Sequence, residues 1–168
     1  LYRYTGKKFE PFFGDDKSLA YGINSIAQDP TGRLWIATES QGLKRLTLSG
    51  KKTEIVSFTR EHGLNSNTVR CLYFDNDGVL WYGTYDNGFG FMKDGTFTRF
   101  TRGDGLPNDN IKTLFIDDSG KLWLGTEKGV AVMENGKIRP VTEEPLLSGS
   151  DVSVIYRDAN GVLWFGIT

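Results

Sequence analysis

One seven-residue phrase, Asp-x-x-Gly-x-Leu-Trp, is written four times in this chain, over 29–35, 75–81, 117–123 and 158–164. Its tryptophans, Trp35, Trp81, Trp123 and Trp164, stand 46, 42 and 41 residues apart. A period of about 40–50 residues with a fixed aromatic belongs to stacked supersecondary units, none of which can bury its apolar face alone. In such an array the repeated residues serve the scaffold. Binding or chemistry is to be sought where the repeats differ.

The unit over 68–101 shows what is repeated. Val69 to Phe74 is short, β-branched and aromatic, and reads as a strand covered on both faces. Asp75-Asn-Asp-Gly78 is a turn, because Asp and Asn bond their own backbone and Gly takes positive φ. Strands follow over 79–84 and 89–93, separated by Tyr85-Asp-Asn-Gly88, and Asp94-Gly95 is a hairpin signal before a fourth strand over 96–101. The units over 23–59 and 111–142 follow the same plan, with Ser49-Gly50 and Asn135-Gly136 in their last hairpins. No segment carries a helical stripe. Four antiparallel strands per repeat and no helix describe an all-β propeller blade. Residues 1–13 match only the third and fourth strands, and 152–168 only the first and second. The expected order is half a blade, three blades and half a blade: either the two halves close one mixed blade in a four-bladed ring, or they pair between chains, or the chain is a segment of a larger propeller.

The repeated positions have structural jobs in this reading. Each Trp supplies packing surface between neighbouring blades. The small residue two places on (Ala37, Gly83, Gly125, Gly166) marks a close approach. The opening Asp caps its turn through the carboxylate.

Composition narrows the partners. The 168 residues carry 20 basic and 21 acidic side chains, well mixed, for a net charge of −1. That argues against a nucleic-acid surface, which needs a basic stripe. No apolar run approaches a membrane span, so direct insertion is not expected. The single cysteine, Cys71, lies in an apolar strand and reads as a small buried hydrophobe. The chain has no initiating Met, as in a processed or excised piece.

The phrase Asp-x-x-Gly-x-Leu-Trp-x-Gly-Thr followed by Gly-Leu or similar resembles the two-component regulator propeller repeat. The clearest matches are Trp81-Tyr-Gly83-Thr84 with Gly88-Phe89, and Trp123-Leu-Gly125-Thr126 with Gly129-Val130. The inter-blade segments Gly63-Leu64-Asn65-Ser66-Asn67 and Gly105-Leu106-Pro107-Asn108-Asp109-Asn110 are also similar to that family. Departures are Ala37 for the Gly, Ile167 for the Thr, and the segment from Glu143 to Asp151, which lacks the Gly-Leu-x-x-Asn pattern. The resemblance implies the periplasmic sensor region of a bacterial hybrid two-component system. Many such regions detect polysaccharide breakdown products. It implies rings of seven blades, often two in tandem, and assigns no catalytic residue that could be carried over.

Ligands of propellers commonly sit where the second-to-third-strand loops and the inter-blade connections share one face. Those segments carry Asp15, Asp16, Tyr21, Glu39, His62, Tyr85, Asp86, Asp109, Glu127 and Asp151, a polar set that varies between blades. Aligning the first strands adds a second column, Asn24, Arg70, Lys112 and Ser153, sent to one side by strand alternation. The candidate ligand-binding residues are Tyr21, Asn24, Arg70, Tyr85, Asp86, Asp109, Lys112 and Glu127. Aromatic faces and amides suit an oligosaccharide, with its C–H faces and fixed hydroxyls. The two cations of the column could meet an anionic group, or could pair with a neighbouring loop acid. No catalytic constellation, metal site or cofactor motif is expected. His62, the only histidine, lacks partners, and Asp75-Asn-Asp-Gly78 fails the spacing of a calcium loop. A ligand sensor is the first reading, with a protein-interaction platform as its alternative. A third is a polysaccharide hydrolase or lyase using Asp109 and Asp151. Partners would be the ligand and either further blades of the parent chain or a second copy.

Overall fold

The computed structural model describes residues 1–12, 19, 22–50 and 52–168. Three four-stranded antiparallel sheets follow one another along the described chain. The first joins β3 (Ile23–Gln28), β4 (Leu34–Thr38), β5 (Leu43–Ser49) and β6 (Lys52–Phe58) in sequence order. The second joins β7 (Val69–Phe74), β8 (Leu80–Thr84), β9 (Phe89–Lys93) and β10 (Thr96–Phe100), and the third β11 (Ile111–Ile116), β12 (Leu122–Thr126), β13 (Gly129–Glu134) and β14 (Lys137–Pro140). A two-stranded sheet stands at either side of these three: β1 (Tyr2–Tyr4) with β2 (Phe9–Pro11), and β15 (Val152–Arg157) with β16 (Leu163–Ile167). This is the up-and-down order of propeller blades. The first strand of each sheet packs on the first strand of the next, β3 on β7, β7 on β11 and β11 on β15.

The core lies between the sheets, not within them. One cluster unites Trp35, Ala37 and Leu43 of the first full blade with Val69, Leu80 and Tyr82 of the second. Another unites Phe89 with Ile111, Leu114, Leu122 and Leu124 across the next junction. Ridge-like apolar faces that meet only at junctions explain why a single blade could not stand alone.

The repeated phrase builds the same small object four times. Oδ1 of each Asp accepts backbone N–H groups two and four residues on: Thr31 and Arg33 for Asp29, Asp77 and Val79 for Asp75, Ser119 and Lys121 for Asp117, Asn160 and Val162 for Asp158. Oδ2 accepts the indole Nε1–H of the Trp six residues on, at 3.0, 2.9, 2.9 and 2.9 Å in chain order. The carboxylate therefore closes the turn with one oxygen and fixes the Trp with the other. The indole is then delivered to the junction: Trp35 meets Phe74 of the following blade edge-on, with ring centroids 6.1 Å apart, and Trp123 meets Phe165 at 5.7 Å. Trp35 is 1% exposed and Trp164 is 60% exposed, so the fourth copy presents this surface outward. Burying an aromatic of this size removes roughly 150–250 Å² from water, on the order of 4 kcal/mol at ~25 cal/mol/Å².

The Thr that ends the second strand latches the following turn. Thr38, Thr84 and Thr126 each donate Oγ1–H to the carbonyl of the Gly that opens the third strand, Gly42, Gly88 and Gly129, at 2.7–2.8 Å. The small residue after each Trp sits where expected. A Cβ on Gly83 would stand 2.6 Å from both Cys71 Sγ and Ile111 Cγ2, and one on Gly125 would stand 2.8 Å from the Val152 carbonyl oxygen. The start of the next blade thus lies on bare backbone. Burial pushes the Cys71 thiol up to about 12, which leaves it an unreactive packing group at neutral pH.

Candidate functional site

In every blade the first strand carries a β-bulge at the same place. Ile23 pairs with Thr38 and Ser25 with Ala37, leaving Asn24 as the extra residue. Arg70, Lys112 and Ser153 are the extra residues of β7, β11 and β15. A bulge releases one residue from the ladder and re-aims its side chain. The variable column seen in the sequence is therefore the set of bulge residues, and the bulge is the device that turns them out of the sheet.

Three of them converge. Asn24, Arg70 and Lys112 line one open cleft with Glu39, Thr68 and Tyr85, and its volume is about 630 Å³. Asn24 Nδ2 donates to the Val69 carbonyl of the next blade at 2.8 Å. Lys112 Nζ pairs with Asp151 Oδ2, again one blade on. The Arg70 guanidinium lies over the ring of Tyr85, 4.6 Å from its centroid, and Tyr85 is half-exposed. Charge around this wall is balanced: Arg70, Lys112 and Glu39 line it, and Asp151 pairs with Lys112. The cleft thus offers amide, hydroxyl, carboxylate and cationic groups around one aromatic face. These groups can hold a polyhydroxylated ligand by hydrogen bonds and stacking.

Among the described residues, the other sequence candidates do not line this cleft. Asp109 Oδ1 accepts the Arg102 backbone N–H at 2.7 Å, as Asn67 Oδ1 accepts that of Arg60 one blade earlier. Both hold an inter-blade connection closed. Glu127 accepts from the buried Asn110 Nδ2 at 3.4 Å and Asp86 is exposed in the turn after β8. Tyr21, with Asp15 and Asp16, lies outside the described residues. His62 sits in a short 3₁₀ turn (Arg60–His62), where its Nδ1 accepts the Thr59 backbone N–H at 3.1 Å. Asp104 does the same for Thr101 in the next connection. Sequence reasoning missed Thr68 as a wall residue. Its signal was its place directly before the first strand, equivalent to Asn110 and Asp151. Among the described residues, no three His, Cys, Asp or Glu side chains are grouped so as to hold a metal ion. No described helix is long and apolar enough to cross a membrane.

The sequence pattern of the family described as two component regulator propeller matches residues 19–40, 63–86, 105–128 and 146–168, more than half of the chain. No curated protein matches. Among solved structures, the chain is similar to the extracellular domain of BT3049 of B. thetaiotaomicron, assigned as a hybrid two component system. The TM-score is 0.73 and the identity 26%, over 86% of this chain and 20% of that one. The extracellular domain of BT4673 from the same organism, given the same assignment, matches with TM-score 0.70 and 20% identity over 86% and 22%. A catalytically inactive virginiamycin B lyase from Staphylococcus aureus, crystallised with quinupristin, matches with TM-score 0.64 and 23% identity over 86% and 48%. The chain thus spans about a fifth of the two extracellular domains.

Proposed function

The chain belongs to the two-component regulator propeller family, and we propose that it is a ligand-sensing, non-catalytic part of the extracytoplasmic region of a signalling receptor, responding to oligosaccharides. Family membership and the likeness to an extracellular domain of a two-component system support a sensor role. The observation that carries the ligand reading is the bulge column. It sends Asn24, Arg70 and Lys112 out of three successive blades into one cleft beside Tyr85. Residues from different blades on one ligand give binding a grip on the arrangement of the blades. A ligand that binds one arrangement better shifts the population toward it, and so biases whatever the receptor carries across the membrane.

Isothermal calorimetry of the chain against a broad oligosaccharide panel tests this. At least one member is expected to bind, and Tyr85→Leu to weaken it about tenfold, the scale of a lost aromatic stacking contact of ~1–1.5 kcal/mol. A panel without binding would remove the saccharide reading.

The faces beyond the outer strands support a second class of contact. Trp164, Tyr156 and Val154 on one side, and Tyr2, Tyr4 and Phe9 on the other, are exposed. Gly166 repeats the bare backbone of Gly83 and Gly125, but the three atoms nearest to where a Cβ would stand belong to Val154 and Ser153 of its own sheet. These faces fit further blades of the parent chain, or failing those a second copy. Light scattering should find the isolated chain self-associating, and a Trp164→Arg variant more nearly monomeric. A strictly monomeric wild type at high concentration would count against sticky blade faces.

A further inference from the structure

Three positions recur by register at the ends of each blade's first two strands. They are the residue before the first strand (Thr68, Asn110, Asp151), the bulge residue (Asn24, Arg70, Lys112) and the residue after the second strand (Glu39, Tyr85, Glu127). At two junctions the bulge side chain reaches to the following blade: Asn24 to the Val69 carbonyl, and Lys112 to Asp151. Arg70 is the exception. By equivalence with Lys112 its partner one blade on is Asn110, which stands where Asp151 stands in the next repeat. Its guanidinium lies instead over Tyr85 of its own blade. Asn110 is buried, its Nδ2 donates to Glu127, and its Oδ1 has no hydrogen-bond partner. A buried acceptor without a donor is costly, and here the missing donor is the one its repeat position would supply.

We propose that Arg70 is a gate over Tyr85: the apolar face of a neutral sugar residue takes the place of the guanidinium on the ring, and the released Arg70 crosses the junction to the Asn110 Oδ1 and the Glu127 carboxylate. This rests on the reading of the cleft as an oligosaccharide site and adds the ligand's charge class and a moving part. Neutrality follows from the pairing already in the wall. Lys112 is held by Asp151, Glu39 lines the same cleft, and Arg70 leaves toward Glu127, so an anionic sugar would find a carboxylate and no unpaired cation. The exchange is close to balanced: a cation over a half-exposed ring is weakly held, and the carboxylate and buried amide oxygen that the arginine reaches, in geometry suited to its planar fork, offset most of what it leaves. The same exchange ties the second full blade to the third. Occupancy of the cleft is then coupled to the junction, as a sensor requires.

The test is calorimetry of the chain with neutral gluco-, manno-, xylo- and galacto-oligosaccharides and with uronate-containing ones, on wild type, Arg70→Met and Tyr85→Leu, together with NMR of the Arg70 side-chain Nε–Hε group. Neutral probes are expected to bind. Tyr85→Leu loses about tenfold, and Arg70→Met binds about two- to fivefold more tightly, the competing cation having been removed. The Arg70 Hε resonance, displaced by the ring current of Tyr85 in the free chain, moves away from that position on binding. A weaker Arg70→Met, or preferred binding of uronates that Arg70→Met abolishes, makes Arg70 a direct ligand contact and overturns the gate while leaving the saccharide reading intact. An Arg70 resonance that stays in place during saturable binding overturns it too, and needs no variant to fold. No binding by any probe removes gate and saccharide reading together.

Discussion

Alanine at Gly88 is expected to lower the melting temperature on the order of 10 °C. Gly88 has φ +73°, which a side chain resists, and a Cβ there would lie 2.0 Å from the Phe100 carbonyl oxygen and 3.2 Å from the Thr101 Cα. Both are backbone, so no side-chain rotamer can relieve the clash. The position is also a junction of bonds. Its carbonyl accepts from the Thr84 N–H at 2.9 Å and Oγ1–H at 2.7 Å, and its N–H donates to the Asp109 carbonyl at 2.8 Å. Moving Gly88 to make room disturbs the turn, the end of β10 and the connection to the next blade together. Left-handed strain and forced repacking contribute together about 3–5 kcal/mol. At ~2–4 °C per kcal/mol for a chain of this size, that gives the stated shift. Gly42 holds the same place one blade earlier, with φ +70° and a Cβ position 2.1 Å from the Phe58 carbonyl oxygen, and should behave alike. Gly95→Ala is the control. Its φ is +79° but nothing lies within 4 Å, so only the conformational cost of about 1 kcal/mol remains. If Gly88→Ala and Gly95→Ala melt together, the close approach is not what holds the turn.

Much of this architecture was legible before any coordinates, and for a physical reason. A unit that buries its core only against its neighbours must repeat its packing residues. Trp35, Trp81, Trp123 and Trp164 therefore announced the blades, and alternation with Asp-Gly and Asn-Gly turns placed the strands. The Gly83 and Gly125 contacts with the next blade followed from the absence of a side chain beside a large one. The spacing of six between Asp and Trp, identical in all four copies, carries more than turn chemistry reveals. It spans a turn and brings the carboxylate under the indole N–H, a role beyond closing the turn.

The site was half legible. Aligned repeats exposed the column of Asn24, Arg70 and Lys112, because variation within a repeat marks freedom from the scaffold. They could not expose the bulge, since a bulge is an offset between two strands and leaves no residue signature in either. Nor could they decide between an anion site and an ion pair for Lys112. That choice depends on a contact 39 residues away, where the structure pairs Lys112 with Asp151. Asp109 shows the opposite case. It varies and is acidic and near the cleft in sequence, yet its carboxylate closes a backbone turn as Asn67 does.

The carboxylates of the repeated phrase lead to the second large effect: Asp29→Ala should cost about 3 kcal/mol, and the same change at Asp158 far less. The two residues share three local bonds, to the N–H groups two and four residues on and to the indole, so those alone predict equal losses. Burial and two further bonds at Asp29 separate them. Asp29 is 6% exposed and accepts five hydrogen bonds, from the Thr31 N–H and Oγ1–H, the Arg33 N–H and Nε–H, and the Trp35 indole. With Trp35 sealed in the junction, its Nε1–H would be left without a partner, a penalty of ~1–3 kcal/mol added to the lost turn contacts. Trp164 is largely exposed, so water replaces Asp158 there. Trp35→Phe removes the orphaned donor, and in that background Asp29→Ala should cost measurably less. Double-mutant coupling near zero would mean that the Asp–Trp bond adds nothing to the turn. Acid should act on these carboxylates too. Burial works against ionisation of Asp29, but the hydrogen bonds from Trp35, Thr31 and Arg33 outweigh it and hold the carboxyl well below its ordinary value of 3.8. Asp117 is lowered likewise. A depressed carboxylate stabilises fully above its unfolded value and loses that contribution as pH falls through the folded one. Wild-type stability should therefore decline from about pH 4 downward, and Asp29→Ala should show a shallower acid limb in denaturant titrations run between pH 5 and pH 2. Parallel limbs would place the acid sensitivity in other carboxylates and leave Asp29 as a turn residue alone.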